Sequence, residues 1–211
     1  MDPTHTLVCF AVKEEAKFFY TANCQRLITG MGQTNAEKSL RKQIASARPG
    51  LVLTCGFAGG LNPDLKFGTV VFDEDVEAGL RKRLEALGAV PARFHCSRRV
   101  ADTAAEKAEL WKTTGADAVE MESSVIRAIC REQKIPAATV RVISDAAQED
   151  LPLDFNALMT ADDRINYPKL IWRVLSEPKN IRRLKIFQEQ TMLAARKLGQ
   201  MLDGLLVSGR N

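Results

Sequence analysis

The stretch DAVEMESSVIRAICREQKIPAATVRVISD, Asp117 to Asp145, carries the most ordered pattern in the chain. A helix is expected from near Met121 or Glu122 to Lys134, because Val125, Ile129 and Gln133 recur every four residues and so share one face. Pro136 stops it, lacking the N–H that a continuing helix needs. Ala138–Ile143, ATVRVI, then reads as a strand buried on both faces, delivering the polar pair Ser144-Asp145 to its end. Helix followed by buried strand is the unit of a layered α/β fold.

The same alternation runs outward from this segment. Thr6–Val12, Arg26–Thr29 and Leu51–Cys55 are short apolar runs expected to be strands, and Thr69–Phe72 adds another. Between the second and third, Gln33–Ala47 places Ala36, Leu40, Ile44 and Ala47 at helical spacing and ends before Pro49-Gly50. Glu77–Leu87 is expected to be a short helix stopped by Gly88, and Val90–His95 a strand interrupted by Pro91. From Asp154 onward the pattern is helical. Over Asn180–Val207 the residues Ile181, Leu184, Phe187, Ala195, Leu198, Leu202 and Leu205 follow a 3.6-residue period, which predicts a long amphipathic helix. With neither a repeat nor a low-complexity linker, residues 1–211 are expected to form one domain with a helical extension from about residue 161 to 211.

Composition narrows the function classes. A chain of 211 residues that is 45% hydrophobic is long enough to bury a core without disulfides or metals. Five cysteines with no CxxC pair indicate neither a disulfide framework nor a zinc site, and reduced thiols with no signal-like start point to the cytoplasm. No apolar run approaches the roughly 18 residues of a membrane span. Residues 161–211 hold ten Lys/Arg against five Asp/Glu, which places the net charge of +4 in the last quarter. No dense basic block or reader motif accompanies it, so nucleic acid is not an expected partner.

Chemistry in such folds gathers where strand ends meet loops and helix starts. Three of these junctions carry acids: Lys13-Glu14-Glu15, Glu120-Met121-Glu122 and Ser144-Asp145. Carboxylates converging there can serve as general acid, general base and hydroxyl acceptor. Any one alone has an ordinary structural reading; Glu14 and Glu15 suit the first turn of a helix. Gly30-Met31-Gly32 and Gly56-Phe57-Ala58-Gly59-Gly60 each follow a strand, but neither completes a P-loop or GxGxxG, and tight turns are the commoner use. The histidines are His5 and His95 alone and no GxSxG is present, so a serine-triad mechanism has little support. Carboxylate chemistry is the expected kind.

Taken together and in order, Ala11–Glu15, Thr29–Ala36, Cys55–Leu61, Ala118–Glu122 and Val140–Asp145 resemble the purine nucleoside phosphorylase/nucleosidase superfamily. The sequence is most similar to methylthioadenosine/S-adenosylhomocysteine nucleosidases and hopanoid-associated phosphorylase-like nucleosidases over residues 6 to 160. VEMES followed by RVISDA is the specific signal. The resemblance implies a three-layer αβα fold with a central mixed β-sheet, a homo-oligomer, and cleavage of a purine N-glycosidic bond through an oxocarbenium-like ribosyl cation. It implies no metal and no cofactor. By the same resemblance Asp145 is the acid that protonates purine N7, kept protonated by burial. Glu15 is the base that activates water. Glu122 accepts the ribose hydroxyls and Met121 packs under the sugar. Arg141 and Ser144 position Glu122 and Asp145, and Glu120 and Gly59 complete the lining. Val12, Met31 and Phe155 match an apolar wall around a 5′ substituent, with ordinary core packing as the equal alternative.

The departures from the family pattern define the alternatives. No Gly-Asp-Pro-x-x-Arg phosphate loop follows the first strand, which favours hydrolysis, although Arg98 and Arg99 leave phosphorolysis open. Phe57 stands where relatives commonly have Ser. Ser97–Ala101 lacks the aromatic that stacks on the base, which leaves the purine undetermined. These altered loops also admit a nucleoside-binding protein without turnover. The basic C-terminal helix is expected to dock on the domain, with peripheral contact to an anionic membrane as the alternative.

Overall fold

A computed structural model describes residues 5–22, 24–160, 162, 166 and 179–207. Its centre is a mixed sheet of eight strands. β1 (Thr6–Phe10), buried at all five positions, runs parallel to β2 (Gln25–Ile28) on one side and β3 (Leu51–Gly60) on the other. Of the later strands, β4 is Val70–Glu74, β5 Val90–Pro91, β6 Phe94–Cys96, β7 Ala118–Glu120 and β8 Ala137–Asp145. β8 is buried throughout and pairs parallel with β3, and β4 lies antiparallel beyond it with β5 at the edge. β7 pairs antiparallel with the far end of β3 at Gly59 and Gly60, and β6 runs parallel to β7.

Two-residue alternation along these strands sorts side chains into two apolar layers. Val8, Phe10, Leu53, Cys55, Phe72, Val140 and Val142 face one side, where the long final helix covers them. Leu7, Cys9, Val52 and Ala137 face the other, where α1 (Gln33–Ser46) supplies Ala36 and Leu40. α4 (Ser123–Glu132) adds Ile126, Ile129 and Cys130 to that second layer. The expected αβα sandwich is therefore present, with antiparallel β4 and β7 making the sheet mixed.

Between these elements lie a 3₁₀ turn at Val76–Ala78, α2 (Arg81–Ala86), α3 (Ala104–Thr114) and α5 (Phe155–Leu158). The final helix, α6 (Lys179–Val207), presents Ala194, Leu198, Met201, Leu202, Leu205 and Leu206 to the sheet. At about 1.5–3 kcal/mol for each large apolar side chain buried, this face is enough to hold the helix in place. Docking of the extension is thus seen over residues 194–206. Ile181, Ile186 and Leu193, nearer its start, remain exposed. Most of the expected helical pattern between Ala161 and Pro178 lies outside the described residues.

Several boundaries differ from the expectations. β3 continues through Gly56–Gly60 because β7 and β8 clasp it from both sides; the glycine segment is strand, not loop. The helix expected over Glu77–Leu87 is broken at Gly79, whose φ of 64° caps the 3₁₀ turn. Glu14 and Glu15 lie in a run of turns rather than in the first turn of a helix. α3 and β7 were not expected. Yet Thr103-Ala104-Ala105-Glu106 is a helix-start signal: Thr103 accepts from Glu106 N, and Glu106 Oε2 accepts from Asp102 N.

Candidate active site

The sheet brings the three acidic junctions to one edge, at the C-terminal ends of β1, β3 and β8. After β1 the chain folds back so that Glu15 Oε2 accepts from Ala11 N (2.8 Å) and Val12 N (3.2 Å). Its Oε1 accepts from Phe57 N of β3 (2.9 Å). Only 5% of Glu15 is exposed. Burial raises its pKa, and the opposing pull of Arg141 and the three backbone N–H groups does not cancel that. A carboxylate raised in this way is a better proton acceptor near neutrality.

Arg141 is the hub of the cluster. Its Nη2 donates to Glu120 Oε2 (2.7 Å), Glu122 Oε2 (3.3 Å) and Thr54 Oγ1 (3.3 Å) in a space where the arginine is 1% exposed. Glu120 also accepts from Glu122 N (3.0 Å), Ser123 N (2.7 Å) and Ser123 Oγ (2.7 Å), so it fixes the start of α4. Burial pushes the Glu120 carboxyl up, but Arg141 and these donors outweigh it and hold it low. Glu122 has fewer donors. Its Oε1 accepts from Gly32 N (2.9 Å), on a glycine held at φ 80° that a residue with a Cβ adopts only under strain. Burial, helped by Glu120 and Glu15 and opposed by Arg141, pushes Glu122 up to about 7.

That shift has a sign in stability. A carboxyl whose folded pKa exceeds its ordinary 4.5 contributes most below that value, and the contribution fades as pH rises through about 7. Glu122→Gln is therefore expected to gain stability over the wild type by roughly 1–3 kcal/mol between pH 4.5 and 8. Urea melts at the two pH values check this, and a constant difference across the window would refute it.

Gly56 is where the cluster leaves no room. A Cβ there would collide with Arg141 Nη1 and the Glu15 carboxylate. Gly56→Ala is expected to cost about 1–3 kcal/mol, lowering the melting temperature by roughly 2–12 °C. The relief available is movement of Glu15, which would draw its carboxylate away from the three backbone donors.

Asp145, 7% exposed, closes β8 opposite Gly59. Its Oδ1 accepts from Ser144 Oγ (2.7 Å), and its Oδ2 is ion-paired with Lys107 of α3. Phe57 N, which holds Glu15, and Gly59, beside Asp145, stand two residues apart on β3, roughly 7 Å along the strand. Glu15, Glu122, Arg141, Ser144 and Asp145 thus share one site. A buried ammonium, that of Lys107, therefore faces the Asp145 carboxyl. Lys107 was missed by the sequence reading. A lysine three residues before Leu110, on the apolar stripe of a helix, was the available signal.

Val12, Met31 and Met121 adjoin backbone groups that bond this cluster. Met121 lies half-buried in the turn between β7 and α4, and Val12 and Met31 are half-buried in the turns after β1 and β2. Phe155 packs its ring on Phe187 of α6, with centroids 5.5 Å apart. Its N–H donates to Asp102 Oδ1 (3.3 Å), and Asn156 bonds to both the N–H and the carbonyl of Val100. These bonds tie α5 to the Ser97–Asp102 loop. Arg99 pairs with Glu106, pointing along α3. Among the described residues no cluster of His, Cys, Asp and Glu fits a metal ion, and no helix is long and apolar enough to cross a membrane.

A mixed sheet clasped by helices, with glutamates after β1 and β7 and an aspartate closing β8, defines a nucleoside phosphorylase-like protein. The profile of the phosphorylase superfamily matches residues 72–176, and the chain is similar to that superfamily. A methylthioadenosine/S-adenosylhomocysteine nucleosidase of Haemophilus influenzae is 29% identical over 196 residues, covering 75% of this chain and 83% of the relative. Futalosine hydrolase of Helicobacter pylori shares the fold with a TM-score of 0.68 at 15% identity, over 96% of this chain and 97% of that one. The methylthioadenosine/S-adenosylhomocysteine nucleosidase of Neisseria meningitidis, bound to methylthio-immucillin-A, has a TM-score of 0.67 at 20% identity, over 96% and 98% of the two chains.

Proposed function

We propose that the protein hydrolyses the N-glycosidic bond of a purine nucleoside bearing an apolar 5′ substituent. The observation that carries this reading is the convergence of Glu15, Glu122 and Asp145 on one sheet edge, with Glu15 fixed by three backbone donors. Asp145 delivers a proton to purine N7 as the C1′–N9 bond breaks. Glu122 accepts the ribose hydroxyls, and Glu15 takes a proton from the water that adds to C1′. Ser144 orients Asp145. Arg141 holds Glu122 while Glu120 holds Arg141 and the start of α4, and Met121 packs under the sugar with Gly59 beside the acid. The Haemophilus influenzae relative named above is a nucleosidase, which supports cleavage by water.

Hydrolysis is favoured over phosphorolysis by how the cations are used. Arg141 is engaged by Glu120 and Glu122, Arg99 by Glu106 and Lys107 by Asp145, so none of the three offers an uncommitted charge to a phosphate dianion. Val12, Met31 and Phe155 are half-buried apolar side chains suited to a thioether or longer lipophilic 5′ group rather than a free hydroxyl. The protein works without a metal or cofactor, acts in the cytoplasm and assembles with its own copies. Incubation with a panel of purine nucleosides, with and without phosphate, tests the reading by detection of free base. Tight binding without turnover of any member would favour a nucleoside-binding protein instead.

A further inference from the structure

Lys107 is 0% exposed, although lysine is among the residues least often buried. Its three donors are all used: Nζ forms the ion pair with Asp145 Oδ2 and donates to the carbonyls of Ala146 (3.0 Å) and Glu149 (2.8 Å). The pair is enclosed by Gly59 of β3, Val119 of β7 and Ser144 of β8. Glu149 turns its own carboxylate to Ala146 N, while Glu120 and Glu122 are held by Arg141. Among the described residues Lys107 is therefore the cation that faces Asp145, and Asp145 the carboxylate that faces Lys107. A general acid that must protonate a purine is thus seated against an ammonium group, not in apolar surroundings.

Resting on the nucleosidase reading, we propose that Lys107 is the positioning residue of the acid and replenishes the proton that Asp145 delivers. The leaving purine takes the C1′–N9 electron pair and receives the Asp145 proton at N7. That proton originates on Lys107, because Asp145 is a carboxylate in the resting ion pair: the ammonium gives it to Asp145 as N7 takes one, is left a neutral amine, and regains a proton from solvent after release. Water adds to C1′ and its proton goes to Glu15, so each turnover leaves one proton on Glu15 and one missing from the Lys107–Asp145 pair. Return of the two to solvent balances the cycle. The transfer is reasonable because a purine anion is about as basic as an amine, and lysine ordinarily titrates near 10.4.

A dependence on pH separates proton supply by Lys107 from a merely structural clamp on the loop after β8. Lys107→Met keeps all but the last atom of the side chain's length and removes the charge. Its kcat for base release is expected to fall about 100-fold at pH 8.5 but less than 10-fold at pH 6, with KM changed only a few-fold. A loss equal at both pH values, or no loss, overturns the proposal. Should Lys107→Met fail to fold, Lys107→Ala assayed with added n-propylamine decides. Rescue that follows the protonated amine supports the role, and absence of rescue overturns it. Asp145→Asn run in parallel tests the underlying reading: if it stays active, the acid lies elsewhere and both fall. If it is inactive while Lys107→Met keeps the wild-type profile, only the lysine role falls.

Discussion

Asp145→Asn is expected to fold and to release base about 10²- to 10⁴-fold more slowly than the wild type, the share usually supplied by a general acid. The amide fills the same space and its oxygen can still accept from Ser144 or Lys107. It has no proton to give to N7. The loss should appear in kcat rather than KM, because the missing interaction matters only as charge develops on the purine. Stability is the second readout. Lys107 loses its counter-charge, and breaking a buried pair on one side costs about 3–5 kcal/mol when nothing else compensates. Here the Ala146 and Glu149 carbonyls and the amide oxygen remain as acceptors, so a melt lowered but still cooperative is expected. A variant that binds substrate and turns it over at a near-normal rate would place the acid elsewhere.

How far the site was legible depended on whether its signals were local. The strand ATVRVI and the acids at its end were readable because a doubly buried strand is an unbroken apolar run, and Arg141 stood out within it. Glu15 was readable only through its motif. Nothing in Lys13-Glu14-Glu15 distinguishes a carboxylate that bonds Phe57 N, 42 residues away, from one that caps a helix. The end of β3 was misread for a similar reason. Glycines 56–60 lack the side chains that announce a strand, and they are strand because β7 and β8 arrive from elsewhere in the sequence. Gly56 itself is required by Arg141 and Glu15, and that constraint exists only after folding. Lys107 was hidden most deeply: a lysine on a helix is read as solvated until its helix is found to press it against β8.

Glu15→Gln is expected to abolish base release in phosphate-free buffer, with at least a 10²-fold loss, because a neutral amide cannot take the proton of the attacking water. Glu15 is built for that task. Three backbone donors fix its orientation, while burial lifts its proton affinity above that of an ordinary carboxyl. In the wild type, product should form at full rate without phosphate, as a free sugar rather than a 1-phosphate. Acid should suppress the reaction, since protonation of Glu15 and of Glu122, pushed up to about 7, removes the base and the hydroxyl acceptor together. A phosphorylase would behave otherwise, its nucleophile being already anionic, and would tolerate Glu15→Gln. It would also need a cation for the dianion, which Arg141 could provide only by releasing Glu120 or Glu122. Phosphate-dependent release with a sugar 1-phosphate would overturn hydrolysis, while leaving Asp145 its proposed role.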